Sequence, residues 1–195
     1  MRRSKLSLLA LAGLLLFFSL GGCSPPWTVV VQAVPNPMLG KGSFTVQPID
    51  FTGLRVGEKT EASWLAEKDE EQRSSWLEDK KGMNDEFASN LINEAKDEGI
   101  QVSPPSQQAP FIVQPKVEWL EPGFYAYVAK RPSQMRMTVR ISDANNNLVD
   151  EITLSHSTAA AMTNPSSGGR LRDDAEALGK YVARYLKSRV APEPE

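Results

Sequence analysis

Gln134-Met-Arg-Met-Thr-Val-Arg-Ile141 is followed by Ser142-Asp-Ala-Asn-Asn-Asn147 and then Leu148-Val-Asp-Glu-Ile-Thr-Leu-Ser-His-Ser157. The first run alternates strictly. Met135, Met137, Val139 and Ile141 fall on one side, and Gln134, Arg136, Thr138 and Arg140 on the other. A period of two is the signature of a strand with one buried face. The return run alternates through Leu148, Asp150, Ile152, Leu154 and His156. Asp143 to Asn147 supplies residue types that tolerate left-handed geometry, so the whole reads as a β-hairpin with one apolar side.

An apolar sheet face must be covered, and the flanking sequence offers helices to do so. Leu171 to Val190 carries a stripe of Leu171, Ala175, Leu178, Val182 and Leu186, with Asp173 and Asp174 early and Lys187 and Arg189 late. That charge order suits the helix dipole. Thr158 to Gly169 is small and polar and reads as a mobile loop. Upstream, Glu58 to Glu98 is helical in composition, and Leu65, Trp76 and Phe87 recur at a spacing that returns to one helical face. Met83, Leu91 and Ala95 extend that stripe. Gly82 predicts a break into a polar helix and a core-packed helix over Asn84 to Glu98, with Gly99 as the stop. Acids outnumber bases thirteen to six in this region, which reads as a solvated helix surface.

Three further strands are expected. Ser43 to Asp50 opens the domain, and Ile100 to Val102 is short. Phe111 to Leu120 places Phe111, Val113, Val117 and Trp119 on one face, with Pro115 asking for an edge position or a bulge. Glu121-Pro122-Gly123 is a turn, and Phe124 to Val128 is either a strand or an aromatic loop. The predicted fold is α+β: a mostly antiparallel sheet with two main helices packed on one face. It forms a single domain over 43–190, followed by a disordered tail, 191–195.

The amino-terminal segment has a different character. Arg2, Arg3 and Lys5 precede an uncharged apolar run, Leu6 to Leu20, that is too short to span a bilayer. A charged start, a short apolar middle and small residues describe a secretory signal peptide, here 1–22. The run ends in Leu20-Gly21-Gly22-Cys23, and Cys23 is the chain's single cysteine. That ending resembles the lipobox of bacterial lipoproteins, which implies cleavage before Cys23 and acylation of its thiol. The resemblance also implies attachment to the membrane through Cys23, and Ser24 in place of aspartate leans towards the outer membrane. Residues 23–42 then form the lipidated cysteine and a Pro/Gly-rich spacer. Trp27 to Val31 is too apolar for a pure linker and leaves open whether it joins the sheet.

Composition bounds the partners. Removing residues 1–22 takes three of the 22 Lys+Arg and none of the 24 Asp+Glu, leaving 19 against 24 and a net charge of −5. An acidic exported chain is a poor nucleic-acid binder, so an envelope protein is the expected partner. Asp143, Asn145 and Asn147 have the early spacing of a calcium loop. Leu148 and Leu154 stand where that loop requires glycine and glutamate, so a turn is expected. His156 is the single histidine, so no histidine-based metal site or catalytic triad is predicted, and neither a cofactor nor a catalytic residue is assigned. Ser166-Ser-Gly-Gly-Arg170 could at most hold an anion weakly. Lys130, Arg131, Arg136 and Arg140 form a basic area that could meet the acidic helix, an acidic partner or lipid headgroups. The candidate binding surface comprises Trp119, Phe124, Tyr125 and Tyr127 with Arg136 and Arg140.

Met135 to Ile141, the Ser142-Asp143 turn with its asparagines, Leu148 to Ser155, the Ser/Gly loop and the final Ala/Leu helix together resemble bacterial envelope lipoprotein domains. They are similar in plan to the amino-terminal domain of the Tol–Pal translocation protein and to the curli-secretion lipoprotein. The resemblance covers roughly 43–190 and implies a non-enzymatic binding or assembly module. Two other functions are weighed against it. One is a lipid-anchored hydrolase. The other is a carrier of a small apolar ligand, which requires a closed cavity lined by Met135, Met137 and Trp119.

Overall fold

The computed structural model describes residues 24–191; Cys23, the signal segment and the tail beyond 191 lie outside the described residues. In chain order the elements are β1 (Trp27–Gln32), β2 (Ser43–Val46), β3 (Arg55–Val56), β4 (Lys59–Thr60), α1 (Glu61–Ala66), α2 (Glu70–Asp97) and β5 (Gln101–Ser103). There follow β6 (Phe111–Glu121), β7 (Phe124–Ala126), β8 (Ala129–Arg131), β9 (Ser133–Asp143), β10 (Leu148–Thr158) and α3 (Ser167–Val190). The main sheet runs β1-β10-β9-β6-β2-β5. Its β1, β10, β9 and β6 pair antiparallel, while β2 lies parallel to both β6 and β5. This is the α+β architecture expected, with α2 and α3 on one face of a mostly antiparallel sheet.

The β9–β10 hairpin matches its pattern. Met135, Met137, Val139 and Ile141 are fully buried. At the turn Asn146 takes φ +63°, and the Asp143 carboxylate accepts from the backbone N–H of Asn145 and Asn147 and from the Asn147 amide, each at 2.9 Å. A bulge between Leu148 and Asp150 turns Leu148 outward and sends both Val149 and Asp150 into the core.

Five local expectations are corrected. The first concerns the helix break, which falls before Asp69 and not at Gly82. Asp69 caps α2 by accepting from Gln72 N–H at 2.8 Å, with Gln72 reaching back to complete a capping box. Helix α2 runs straight through Gly82, and the missing side chain there makes the slot in which the Arg172 side chain lies. The second concerns Trp119. A bulge between Val117 and Trp119 gives Leu120 the inward place beneath the helices and turns Trp119 to the opposite face. The third concerns Pro115, which sits inside an interior strand. Val113 and Pro115 carbonyls accept from Gln47 and Asp50, and Val117 N–H donates to Asp50 O. The proline's missing donor falls where β2 has already ended, so no ladder bond is lost.

The fourth correction concerns the spacer. From Trp27 onward the segment belongs to the domain. Strand β1 pairs Trp27 with Leu154 and Gln32 with Asp150, the Trp27 ring meets Tyr185 edge-on at 5.7 Å, and Met38 is fully buried. Apolar Trp27, Ala33 and Met38 gain more by packing against the core than a solvated linker would. The loop expected over Thr158 to Gly169 is likewise shorter, because Ser166 accepts from Gly169 N–H and starts α3 at Ser167.

Helices α2 and α3 run parallel. Asp79 pairs with Arg172, Glu94 with Arg184, and Lys187 donates to the Glu98 carbonyl, all between 2.6 and 2.8 Å. They touch backbone to backbone at Gly179, where a Cβ would lie 2.5 Å from Phe87 O and 3.1 Å from Leu91 N.

Candidate functional site

The face of the sheet opposite the helices is polar and open. Its centre is built from cross-strand rungs: Ser155–Arg136–Trp119, Thr153–Thr138–Lys116 and Glu151–Arg140–Gln114, running β10 to β9 to β6. Each member sits one residue out of step with the buried set, so the period that fills the core also composes this surface. Trp119 is oriented by donating its indole N–H to Gly57 O at 2.9 Å. The Arg136 guanidinium lies 5.3 Å from its ring, a cation–π distance. Arg140 pairs with Glu151 at 3.3 Å, so its charge is answered on the sheet. The acidic helix α2 lies on the other side of the sheet and does not meet Arg136 or Arg140.

The structure thus brings Trp119, Arg136 and Arg140 together and sets the other three candidates apart. Phe124, Tyr125 and Tyr127 belong to a small two-stranded hairpin, β7–β8, pairing Phe124 with Arg131 and Tyr125 with Lys130. It projects between the end of β6 and the start of β9. The Lys130 ammonium rests 5.3 Å from the Tyr125 ring, and Arg131 reaches Glu121 at 3.2 Å. Its base is fixed from several sides. Gly123 has φ +63°, a Cβ there would strike the Arg131 and Pro132 carbonyls, and Ser167 Oγ donates to Gly123 O at 3.1 Å. Gly123→Ala combines an unfavourable left-handed backbone, about 1–2 kcal/mol, with that collision. The expected result is faster tryptic cleavage after Lys130, since Pro132 protects the bond after Arg131, with little change in cleavage elsewhere.

The remaining sequence candidates are occupied by the protein's own groups. Arg170, at the head of α3, is fully buried, and its guanidinium donates to the carbonyls of Asn164, Pro165 and Pro122 at 3.2, 2.7 and 3.2 Å. Asp79 lies directly over Gly168, so a native carboxylate covers the first turn of α3. Burial raises the Asp79 carboxyl above the ordinary carboxylate range, and Arg172 opposes the shift. The Asp143 carboxyl is lowered, chiefly by the Asn147 side chain and then by backbone N–H groups. A lowered value stabilises the turn above the ordinary carboxylate range, and that support is lost as pH falls through the lowered value. Hydrogen exchange at the Asn145 and Asn147 amides should therefore accelerate in strong acid, relative to the intrinsic rate, before the central strands open.

Two buried carboxylates were not singled out by sequence reasoning. Asp174, fully buried on α3, accepts from Ser133 Oγ at 2.6 Å and Thr158 Oγ1 at 2.7 Å, and lies 2.8 Å from His156 Nδ1. The surrounding hydroxyls are directed at the carboxylate and not at the imidazole, so the group fastens α3 to the strand ends. Asp150, also fully buried, accepts from Tyr185 hydroxyl at 2.6 Å, Arg189 Nε at 2.7 Å and Ala33 N–H at 3.0 Å. Met135 and Met137 are buried beneath the helices while Trp119 lies on the opposite face, so these three cannot line one closed cavity.

No family model matches this chain, and no curated protein matches it. Among solved structures it is similar to the PelC dodecamer from Paraburkholderia phytofirmans, with a TM-score of 0.45 and 10% identity over 80% of this chain and 96% of that one. A substituted variant of the same dodecamer gives a TM-score of 0.39 and 14% identity, again over 80% of this chain and 96% of that one.

Proposed function

We propose that this chain is a lipid-anchored cell-envelope protein that acts as a non-enzymatic binding or assembly module, held at the outer membrane through Cys23. The observation that carries the reading is the coincidence of the chain's one cysteine with the end of Leu20-Gly21-Gly22-Cys23. An odd cysteine in an exported chain needs a role other than an internal disulfide, and acylation supplies one. The domain supports a binding role through its uncovered sheet face. There Trp119 is fixed by Gly57, and Arg136 has no carboxylate within ion-pair distance among the described residues. An oriented aromatic and an unanswered guanidinium are groups that protein interfaces favour. The sequence resemblance of the hairpin and last helix to envelope lipoprotein domains supports the reading.

Cys23→Ala should leave the precursor unprocessed or release the protein from membranes. Unchanged mobility together with unchanged detergent extraction would sink the anchor. Crosslinking in cells from a photoreactive residue at position 119 should capture an envelope protein. No adduct, alongside turnover by the purified protein in a hydrolase panel, would replace the binding role with a catalytic one.

A further inference from the structure

Four features converge at one end of the sheet. Strand β10 runs towards this end and β1 runs away from it, with Trp27 opposite Leu154, so residues 24–26 leave the domain here. The end of β6 and the start of β9 meet at the same place, with Glu121 opposite Gln134. The β7–β8 hairpin therefore projects from this end. At its tip Tyr127 and Val128 are 90% and 93% exposed. The loop between β10 and α3 adds Met162, 74% exposed.

We propose that the β7–β8 hairpin is a second membrane contact, its Tyr127-Val128 tip seated in the lipid headgroup region beside the acylated Cys23. This rests on the anchor reading above. Cys23 lies four residues before Trp27, so even fully extended chain separates the acyl group from β1 by only about 14 Å. The end of the domain that the chain leaves must then face the bilayer at close range. The hairpin's composition suits that place. Phe124, Tyr125, Tyr127 and Val128 supply apolar and amphipathic surface, while the Lys130 ammonium over Tyr125 and the Arg131–Glu121 pair brace the arm behind the tip. Tyrosine, with an apolar ring and a polar hydroxyl, is favoured at the boundary between hydrocarbon and water. The fixed base at Gly123 holds the tip outward, so little order has to be gained on contact.

Charge does not drive the docking. Helix α2 runs parallel to α3, and Asp79 lies over the start of α3. Glu70 and Glu71 therefore extend further towards this same end by nine and eight residues, about 12–14 Å of helix. They add negative charge at this end, and Lys130 and Arg131 are already engaged by Tyr125 and Glu121, so insertion of the tip, rather than anionic lipid, supplies the contact.

The test uses processed full-length protein purified from membranes and reconstituted into vesicles of phosphatidylethanolamine and phosphatidylcholine, with and without phosphatidylglycerol. An environment-sensitive fluorophore is placed at Val128→Cys. A control label goes at Leu39→Cys, next to Gly40, whose N–H bonds Val190 O at the opposite end of α3. With Cys23 acylated, each introduced thiol is the one free to react. The label at 128 should shift to shorter wavelength and be quenched by lipid carrying a nitroxide near the headgroup, in both vesicle types, while the label at 39 stays in water. Protein that floats with vesicles but keeps both labels in water overturns the hairpin contact and leaves the anchor standing. A shift at 128 that requires added envelope proteins assigns the tip to a protein partner and overturns the proposal. Protein that fails to float removes the anchor, and the proposal with it.

Discussion

Asp150→Ala should lower the unfolding free energy by about 3–5 kcal/mol, the cost of removing one partner from a buried ion pair. The side chain has no exposed surface. It answers the Arg189 guanidinium, the Tyr185 hydroxyl and the Ala33 N–H together. Alanine would strand the guanidinium Nε and the phenol in or beside the core, while the Ala33 N–H would keep only its bond to Val149 O. The loss is a large part of the 5–15 kcal/mol that holds a typical domain together. The effect is also directional. Arg189 additionally donates to Ala33 O at 3.2 Å, so the segment leading out of β1 should loosen first. Chemical denaturation followed by tryptophan fluorescence measures the total, and hydrogen exchange at Ala33 locates it. A change under about 1 kcal/mol, the scale of a solvent-screened pair, would refute the assignment. Alkaline pH offers a second readout. Burial, followed by the hydrogen bond to Asp150, pushes the Tyr185 phenol well above its ordinary value of 10.0. The folded state therefore keeps a proton that the unfolded chain releases, and stability declines as pH rises beyond about 10. Removing Asp150 should flatten that decline in part, because burial of the ring remains.

Gly179→Leu is expected to prevent folding, and Gly179→Ala to cost about 1–3 kcal/mol of overpacking. Away from a contact, alanine in place of glycine inside a helix is favourable by roughly 1 kcal/mol. Here that gain is outweighed because the obstructing atoms, Phe87 O and Leu91 N, are backbone and cannot rotate aside. Gly82→Ala is the informative comparison. Its obstacle is the flexible Arg172 side chain, so the cost should be smaller and should fall mainly on the Asp79–Arg172 pair. Thermal melts of the three variants test the ordering. A Gly179→Ala protein more stable than its parent would mean the helices stand further apart than described.

Where a single local period governs, the sequence was a sufficient guide. The β9–β10 hairpin and its turn follow from alternation and from Asp143 to Asn147, and α3 follows from its stripe. Long-range pairing overrode local signals elsewhere. Proline and glycine between Pro25 and Gly42 suggest a spacer, yet β1 gains its place from an edge offered by β10, far along the chain. Gly82 is a helix breaker by propensity and a packing slot in fact. The bulge before Trp119 reverses the face of that residue, which strict alternation cannot anticipate. The surface was legible in composition but not in grouping, because Arg136 and Trp119 meet across strands while Tyr127 stands apart on its hairpin. Asp150 and Asp174 did leave a trace. Each is a carboxylate at an inward position of an otherwise apolar stripe, and such residues need buried partners.

The pairing of Trp27 with Leu154 also sets the order in which the protein can be completed. Synthesis proceeds from the amino terminus, and contacts between residues far apart in sequence close slowly. Strand β1, with Val29, Val30 and Val31 exposed along its length, is made first. Its partner β10 comes more than a hundred residues later, after every strand but itself. Until then the valine strand is a template without a match, able to recruit any other free edge. The last third of the chain therefore acts as the keystone of the first, and a truncation before Leu148 would leave an adhesive fragment in place of a smaller domain.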